Sequence, residues 1–319
     1  MQQAAIAIDL GGTKCAGALI NPEGTVLQTR KIKLGSREGE EVAALIAGLC
    51  LELYENADSG EIMVSGIGIS VPGISYSETG KVWAPNIPGW VDFPLKTFIG
   101  SAIHQKVPVM VDNDRACCIL GETWLGAARG CRDAIFLTVG TGIGAGILIV
   151  GKILRGADDI AGAIGWLALE SGYLEGYRQF GCFEYHASGD GIVREAKDLL
   201  RDPDLFPDSL LRKNRPDSAL ILDAYRKKDP AAVLVMEKAI RLWGKASANL
   251  VSLFNPEMII FGGGIFGPAG YLTDAIYNEA TRWAQPVSIR KVRIVSSVTG
   301  NNAPLLGAAK KVLDHDANL

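Results

Sequence analysis

The chain has 319 residues, of which 48% are apolar and 21% charged, and its formal net charge is −3 at neutral pH. This length suits two domains of ordinary size, and the small negative charge gives no electrostatic basis for binding nucleic acid or an anionic membrane. No apolar run is long enough to cross a bilayer and no basic leader precedes the first apolar run, so we expect a cytoplasmic protein.

The chain opens with two apolar runs around a glycine turn. Residues 5–20 read AIAIDLGGTKCAGALI, which predicts a tight β-hairpin with Asp9 at the end of its first strand. Glycines in the turn would let a phosphate approach the backbone N–H groups, because no Cβ stands in the way. Asp9 is a candidate for holding a metal ion or its water. The candidate phosphate ligands in the turn are Gly11, Gly12, Thr13 and Lys14.

The same pattern returns at residues 134–149, which read AIFLTVGTGIGAGILI and align with residues 5–20 without a gap. A repeat at this distance predicts two related domains, each of which begins with a strand, a glycine turn and a strand. Two such turns that faced one another would hold a triphosphate from both sides. The alternative is two unrelated hairpins, since glycine turns and apolar strands are common.

Between the two hairpins, a short apolar strand leads into a polar run. The patterns predict strands at 25–34, 62–70 and 108–111, helices at 38–56 and 115–126, and a turn-rich loop at 74–89. The last strand ends in Asp112, Asn113 and Asp114, at the edge of a sheet where ligands bind in α/β folds. Asn and Asp are also favoured N-caps. We expect one of the three to cap the helix and the group to form a site, because two acids and an amide exceed what a cap needs.

The remainder of the chain alternates helices and strands. We predict a strand and a loop at 151–162, a polar connection at 202–216, helices at 188–200, 219–225, 231–254, 271–283 and 303–313, and strands at 258–261 and 292–298.

Four motifs together resemble the ROK family of sugar kinases and sugar-responsive repressors, which belongs to the actin, Hsp70 and hexokinase-like ATPase superfamily. They are DLGGTK at 9–14, ND at 113–114, GTGIG at 140–144 and GGG at 262–264. Each motif is weak alone, but their order covers essentially the whole chain. The resemblance implies an α/β fold of two related actin-like ATPase (ribonuclease H-like) domains that flank a nucleotide and sugar cleft. The smaller domain would be 1–113, completed by the helix at 303–319, and the larger would be 114–302.

The resemblance also implies an activity, the ATP-dependent phosphorylation of a sugar hydroxyl with Asp114 as the catalytic base. A carboxylate suits this role because a sugar hydroxyl is a poor nucleophile until its proton is accepted. Mg²⁺ would bind mainly through the phosphates, with Asp9 on one of its waters. The implied sugar ligands are Gly73, Asn86, Asn113, Asp114 and Glu184. The implied ATP ligands are Asp9, Gly11, Gly12, Thr13, Lys14, Thr138, Gly140, Thr141, Gly142, Gly144, Gly262, Gly263 and Gly264.

One segment departs from the family pattern. The family usually carries G-E-I-G-H and then C-x-C-G-x-x-G-C-x-E, whose His and three Cys bind a structural zinc. Here the first part reads GAIGW at 162–166, and the second keeps Cys182 and Glu184 but no other cysteine. One thiol cannot supply a tetrahedral site, so we predict no structural zinc and a small buried Cys182. The six cysteines as a set show no C-x-x-C spacing and indicate reduced thiols.

The same departure bears on the substrate. Ala163 replaces a family acid that contacts the sugar, so we predict a hexose-like polyol or a modified sugar rather than glucose. Trp166, in place of the family histidine, would present an indole face to a sugar ring or cover the pocket. The alternative for Trp166 is a core aromatic that fills the place of the zinc centre.

Two other functions stay open. The missing acid and histidine favour a non-catalytic sugar- or nucleotide-binding sensor, and the superfamily also permits an ATPase with a protein partner. We expect no direct DNA regulation, because the family's repressors need an N-terminal helix-turn-helix and none precedes Ala4. The expected ligands are a small carbohydrate and ATP, with neither nucleic acid nor membrane as partner. Because the family commonly forms dimers, we expect a homodimer.

Overall fold

The computed structural model describes residues 2–316, which form a mixed α/β fold. The strands are β1 (Gln2–Leu10), β2 (Lys14–Ile20), β3 (Val26–Lys33), β4 (Ile62–Val71), β5 (Ile74–Ser75), β6 (Val82–Trp83), β7 (Val109–Asn113), β8 (Ala134–Val139), β9 (Ile143–Ile149), β10 (Lys152–Ile153), β11 (Met258–Gly262) and β12 (Arg293–Ser296). The helices are α1 (Gly39–Ser59), α2 (Leu95–Ala102), α3 (Asp114–Leu125), α4 (Tyr177–Phe180), α5 (Cys182–Ala187), α6 (Gly189–Leu199), α7 (Ser218–Arg226), α8 (Pro230–Phe254), α9 (Phe266–Ala269), α10 (Thr273–Ala280), α11 (Pro286–Ile289) and α12 (Ala303–Asp316). Among the helices of residues 2–316, none is both long enough and apolar enough to cross a membrane.

Two five-stranded sheets have the same topology. The first has the order β3-β2-β1-β4-β7, and the second has the order β10-β9-β8-β11-β12. In each sheet the central strand, β1 or β8, pairs antiparallel with the strand that follows it and parallel with a later one. The two hairpins at 5–20 and 134–149 are therefore equivalent parts of two related sheets, and the predicted α/β fold with an internal repeat is confirmed.

The chain divides into two compact units. The first comprises Met1–Gly130, Ile153–Ala161 and Asn301–Leu319, and the second comprises Cys131–Lys152 and Gly162–Gly300. The sequence-based division places the helix that begins at Asp114 in the larger domain, whereas α3 lies in the first unit.

Close packing of α3 on α12 is the reason for that placement. A Cβ on Gly121 of α3 would lie 2.4 Å from the carbonyl oxygen of Ala303. A Cβ on Gly307 of α12 would lie 1.7 Å from the carbonyl oxygen of Cys117. The two helices touch backbone to backbone, which only glycine permits at these points.

The central strand β1 is buried on both faces, and its residues alternate in size. Ile6 and Ile8 belong to the apolar cluster that includes α1, while Ala5 and Ala7 belong to the cluster that includes α12. Successive side chains of a strand point to opposite faces, so large residues fill one side and small residues admit α12 on the other. On the neighbouring strand a Cβ at Gly68 would lie 2.0 Å from a carbonyl oxygen of α12.

The second unit is built around the long helix α8. Asp229 accepts a hydrogen bond from the N–H of Ala232 and so caps the helix, with Pro230 in its first turn. The helix ends where Asn255 adopts the left-handed conformation. The short helices α4 and α5 and the β5–β6 hairpin were not predicted, because segments of two to six residues carry too little periodicity to be recognised.

Candidate active site

Polar side chains follow the ends of three neighbouring strands of the first sheet. Asp9 on β1 lies in register with Ser70 on β4, and Asn113 ends β7. The Ser70 hydroxyl donates to Asp9 Oδ1 at 3.2 Å. Burial raises the pKa of Asp9 to about 6, and the charge of Asp114 adds to the rise, while Ser70 and Lys14 oppose it. Asp9 and Asp114, both predicted from the sequence, are therefore electrostatic neighbours.

The turn from β7 into α3 gives Asn113 and Asp114 different environments. Asn113 Oδ1 accepts the N–H of Ala116 at 2.8 Å, so Asn113 is the N-cap that we expected from one member of the polar run. Asp114 begins α3, and 45% of its side chain is exposed. Burial raises the pKa of the Asp114 carboxyl and the Arg115 guanidinium opposes the rise. With this much of the side chain accessible, the carboxylate can meet a ligand.

The third member of the polar run, Asp112, is buried and paired with two cationic side chains of the protein. It is 1% exposed and accepts two hydrogen bonds from the Arg155 guanidinium, at 3.0 and 2.6 Å, and one from Lys311 Nζ at 2.5 Å. Burial disfavours the carboxylate, but the two cations outweigh this effect and lower the pKa of Asp112. Sequence reasoning missed Arg155 and Lys311, which no local pattern connects to Asp112.

Two of the predicted sugar ligands lie beside these strand ends. A Cβ on Gly12 would lie 3.1 Å from Asn86 Nδ2, so Asn86 touches the β1–β2 turn. Gly73 has φ +87°, and a Cβ there would lie 2.1 Å from the Trp83 carbonyl oxygen. The carbonyl of Gly73 accepts a hydrogen bond from Arg115 at 3.2 Å. The first unit thus brings Gly73 to the start of α3 and Asn86 to the glycine turn.

The turn between β1 and β2 is open to solvent. A backbone hydrogen bond of 2.9 Å from the Gly11 N–H to the Lys14 carbonyl closes it. Gly12, Thr13 and Lys14 are all exposed. Their backbone and side-chain donors are accessible, as a phosphate-binding turn requires.

In the second unit, Glu184 of α5 lies against the repeated glycine turn. Its Oε2 accepts the N–H of Ile143 at 2.7 Å, and a Cβ on Gly142 would lie 2.7 Å from the same oxygen. Burial raises the pKa of Glu184, and the Ile143 N–H opposes the rise. The turn is also tied to α6, because the Gly189 N–H donates to the Gly140 carbonyl at 2.7 Å. The sequence did not predict that Glu184 and the turn would meet.

The glycines that follow β11 lie beside β8. Gly263 has φ +86°, and a Cβ there would lie 2.5 Å from the Val139 carbonyl oxygen and 2.8 Å from Thr138 Oγ1. Gly264 opens onto a pocket of about 440 Å³ that the repeated glycine turn also lines. The lining residues are Gly140, Thr141, Gly189, Asp190, Val193, Lys197, Arg215, Pro216, Asp217, Ser218, Gly264 and Ile265. Three of the predicted ATP ligands of the second unit, Gly140, Thr141 and Gly264, thus line one pocket.

The segment that departs from the family pattern is partly exposed. Trp166 ends the 3-10 turn Ile164–Trp166 and is 57% exposed, so the alternative that it is a core aromatic is wrong. Cys182 is buried, as predicted, and all six cysteines are free thiols. Within residues 2–316 no three His, Cys, Asp or Glu side chains are grouped so that they could hold a metal ion.

Two sheets of like topology, each opening with a strand, a glycine turn and a strand, define an actin-like ATPase fold. The chain belongs to the ROK family, whose model matches residues 5–315. A glucokinase of Thermotoga maritima is 30% identical over 312 residues, which cover 95% of each chain.

Two solved structures show the range of the family. A ROK family glucokinase from Streptomyces griseus, in complex with glucose and AMPPNP, is 30% identical with a TM-score of 0.79 and covers 98% of this chain and 99% of its own. A ROK family transcriptional regulator, a homologue of the E. coli MLC protein, is 26% identical with a TM-score of 0.88 and covers 99% of this chain and 80% of its own. The family thus includes kinases and transcriptional regulators.

Proposed function

We propose that this chain is an ATP-dependent carbohydrate kinase in which Asp114 is the general base. The observation that carries the proposal is the accessible Asp114 carboxylate at the start of α3, in the same unit as Asp9 and an open glycine turn. Relatives that are named glucokinases, at 30% identity over nearly the full chain, support the same activity.

The proposed phosphoryl transfer requires little covalent chemistry from the protein. Phosphoryl transfer depends on positioning and on neutralising charge, and the acceptor hydroxyl must lose its proton as it attacks. Asp114 would accept that proton from a hydroxyl held within about 2.6–3.2 Å. Asn113 would contribute its amide N–H groups to the sugar, since its side-chain oxygen is used as the helix cap.

The nucleotide would be held by backbone N–H groups. We assign its phosphates to the turns at 11–14 and 140–144 and its adenosine to the pocket beside Gly264. Mg²⁺ would neutralise the phosphate charge when bound. Asp9 fits this ion through an intervening water, because it offers a carboxylate that is largely ionised above pH 6.

The sugar would meet Gly73 and Asn86 in the first unit and Glu184 in the second. Because Ala163 supplies no acid, we assign a hexose-like polyol or a modified sugar rather than glucose as the preferred acceptor. The exposed ring of Trp166 would cover the sugar. By the family pattern, the assembly we propose is a homodimer.

A second function, a non-catalytic sugar sensor, is favoured by one observation. The ROK transcriptional regulator superposes on this chain with a TM-score of 0.88, compared with 0.79 for the Streptomyces griseus glucokinase. A sensor would bind sugar or nucleotide through the same groups without turnover.

ADP release from ATP and Mg²⁺, measured across a panel of sugars, amino sugars, sugar acids and polyols, separates the two functions. A kinase shows sugar-dependent release that Asp114→Ala lowers by about 10²–10⁴-fold while sugar binding persists. Asp158→Ala removes an exposed acid of the same unit and is the matched control with unchanged turnover. Background release with every compound, from protein that still binds nucleotide, would refute the kinase. Release from glucose as fast as from any other compound would refute the modified-sugar assignment alone.

A further inference from the structure

A polar cluster of two buried and two partly buried side chains is centred on His186, which lies on the same helix as Glu184. His186 is 6% exposed, and its Nε2 lies 2.6 Å from the Tyr177 hydroxyl. Its Nδ1 is hydrogen-bonded to Glu195, and Lys238 Nζ lies 2.9 Å from the same Glu195 oxygen. We name these four residues the His186 cluster. It joins α4, α5, α6 and α8, four helices of the second unit.

One arrangement of protons satisfies the contacts of Tyr177 with His186, of His186 with Glu195 and of Lys238 with Glu195. Burial raises the pKa of Tyr177 to about 12, so its hydroxyl stays protonated and donates to His186 Nε2. His186 then carries its proton on Nδ1 and donates it to Glu195. Burial disfavours the Glu195 carboxylate, but hydrogen bonds from His186 and Lys238 outweigh this effect and lower its pKa. Every member thus has a partner within the cluster, and two further contacts surround it: Lys238 Nζ lies 3.2 Å from His186 Nδ1, and Tyr177 is also hydrogen-bonded to Cys182.

Helix α5, which carries His186, is too short to be stable without contacts to the rest of the unit. Helix α5 has six residues, fewer than two turns, and isolated helices of this length are unstable. Its C-terminal end is fixed where the Trp243 indole donates to the Ala187 carbonyl at 3.0 Å. Glu184, two residues before His186, then reaches the Ile143 N–H at 2.7 Å. A shift of α5 would break that contact with the glycine turn.

The family's zinc does not fit this region. Trp166 has no metal-binding atom, and Cys182 is the one thiol left in the segment. We propose that the His186 cluster, in a segment that lacks the ligands for zinc, fixes α5 and so positions Glu184 for the sugar. His186 is a positioning residue in this proposal, which rests on the proposed role of Glu184 in sugar binding.

The test combines amide exchange with steady-state kinetics. His186→Phe keeps an aromatic ring and removes both hydrogen bonds, whereas His186→Gln keeps a donor and an acceptor. Tyr185→Phe, which keeps the ring and loses one hydroxyl on the same helix, is the matched control. Hydrogen–deuterium exchange of residues 140–146 and 181–188 is compared with that of β11 in the same unit, and KM is measured separately for sugar and ATP.

We expect His186→Phe to speed exchange in the two segments about tenfold or more, with β11 unchanged. We expect it to raise the KM for the sugar about tenfold while the KM for ATP stays within about twofold. His186→Gln recovers part of both effects, and Tyr185→Phe shows neither. If His186→Phe does not fold, Tyr177→Phe, which removes a single hydroxyl, takes its place.

Two results would overturn the proposal. One is unchanged exchange at residues 140–146 in the folded variant. The other is faster exchange throughout the unit together with equal losses for sugar and ATP, which marks a purely structural role. Wild-type protein that binds no sugar would instead refute the proposed function, and the exchange measurement would still decide whether the cluster holds Glu184.

Discussion

Replacing Asp9 with asparagine is predicted to make the unliganded protein more stable and to remove its activity. Asp9 is largely buried at the end of β1 and close to a second carboxylate, Asp114, so its charge is unfavourable in the folded chain. Asparagine is nearly isosteric and keeps the oxygen that accepts the Ser70 hydroxyl at 3.2 Å. The same substitution removes the carboxylate that we assign to the magnesium water.

The size of the effect follows from the pKa. Folding raises the pKa of Asp9 from 3.8 to about 6, so the folded state binds the proton more tightly than the unfolded state. Stability is therefore lost as pH rises through this window, and the whole loss is present above about pH 6. At 1.36 kcal/mol per pKa unit the upper limit is about 3 kcal/mol. Asp9→Asn should recover up to about 3 kcal/mol at pH 7.5 and about half of that at pH 5.

Urea unfolding at pH 7.5 and pH 5, without ATP or Mg²⁺, measures the difference. Asp158→Asn, an exposed acid of the same unit, is the control and should change the free energy of unfolding by less than about 0.5 kcal/mol. An Asp9→Asn variant less stable than the wild type at pH 7.5 would refute the reasoning. So would a gain of equal size at both pH values, since it would not come from the carboxyl proton.

Three further predictions concern the fold. Arg155→Met removes one of the two cations that pair with the buried Asp112 and should lower the free energy of unfolding by about 3–5 kcal/mol. The control Arg201→Met, at an exposed ion pair, should change it by less than about 1 kcal/mol. Equal urea midpoints for the two variants would contradict this prediction. Gly307→Ala forces a Cβ into a backbone carbonyl and should lower the melting temperature, whereas Gly264→Ala, with no atom within 4 Å of its Cβ, should not. Elemental analysis should find far less than one zinc ion per chain, and dialysis against EDTA should leave unfolding unchanged; one tightly held zinc would overturn the prediction.

Local sequence patterns were sufficient to predict the two repeated hairpins. The hairpins at 5–20 and 134–149 could be recognised because each has apolar strands on both sides of a glycine turn, and their likeness predicted two related domains. The structure adds that the two sheets have one topology. The place of α3 could not be recognised in this way. It is fixed by backbone contact between Gly121 and Ala303 and between Gly307 and Cys117, and such contacts join positions far apart in the sequence.

The candidate site divides in the same way. Asp9 and Asp114 could be predicted because acids at the ends of strands stand out against apolar runs. The contact between Glu184 and the Ile143 N–H could not, because it joins two positions that are 41 residues apart and depends on where a six-residue helix lies. Arg155 could not be predicted as the partner of Asp112, because a single arginine in a loop belongs to no recognisable sequence pattern.

The polar run after β7 shows why the position of an acid matters more than its type. Asp112 and Asp114 are two residues apart, yet burial dominates at Asp114 and raises its pKa, while Arg155 and Lys311 lower that of Asp112. An unpaired Asp112 charge would add to the negative potential of Asp9 and Asp114, and repulsion between like charges would weaken the binding of the triphosphate that we propose for this unit. The fold neutralises Asp112 with two cations of the same unit. Asp114, whose side chain is 45% exposed, has no such pair of cations within residues 2–316 and is the acid of this run that we propose as the general base.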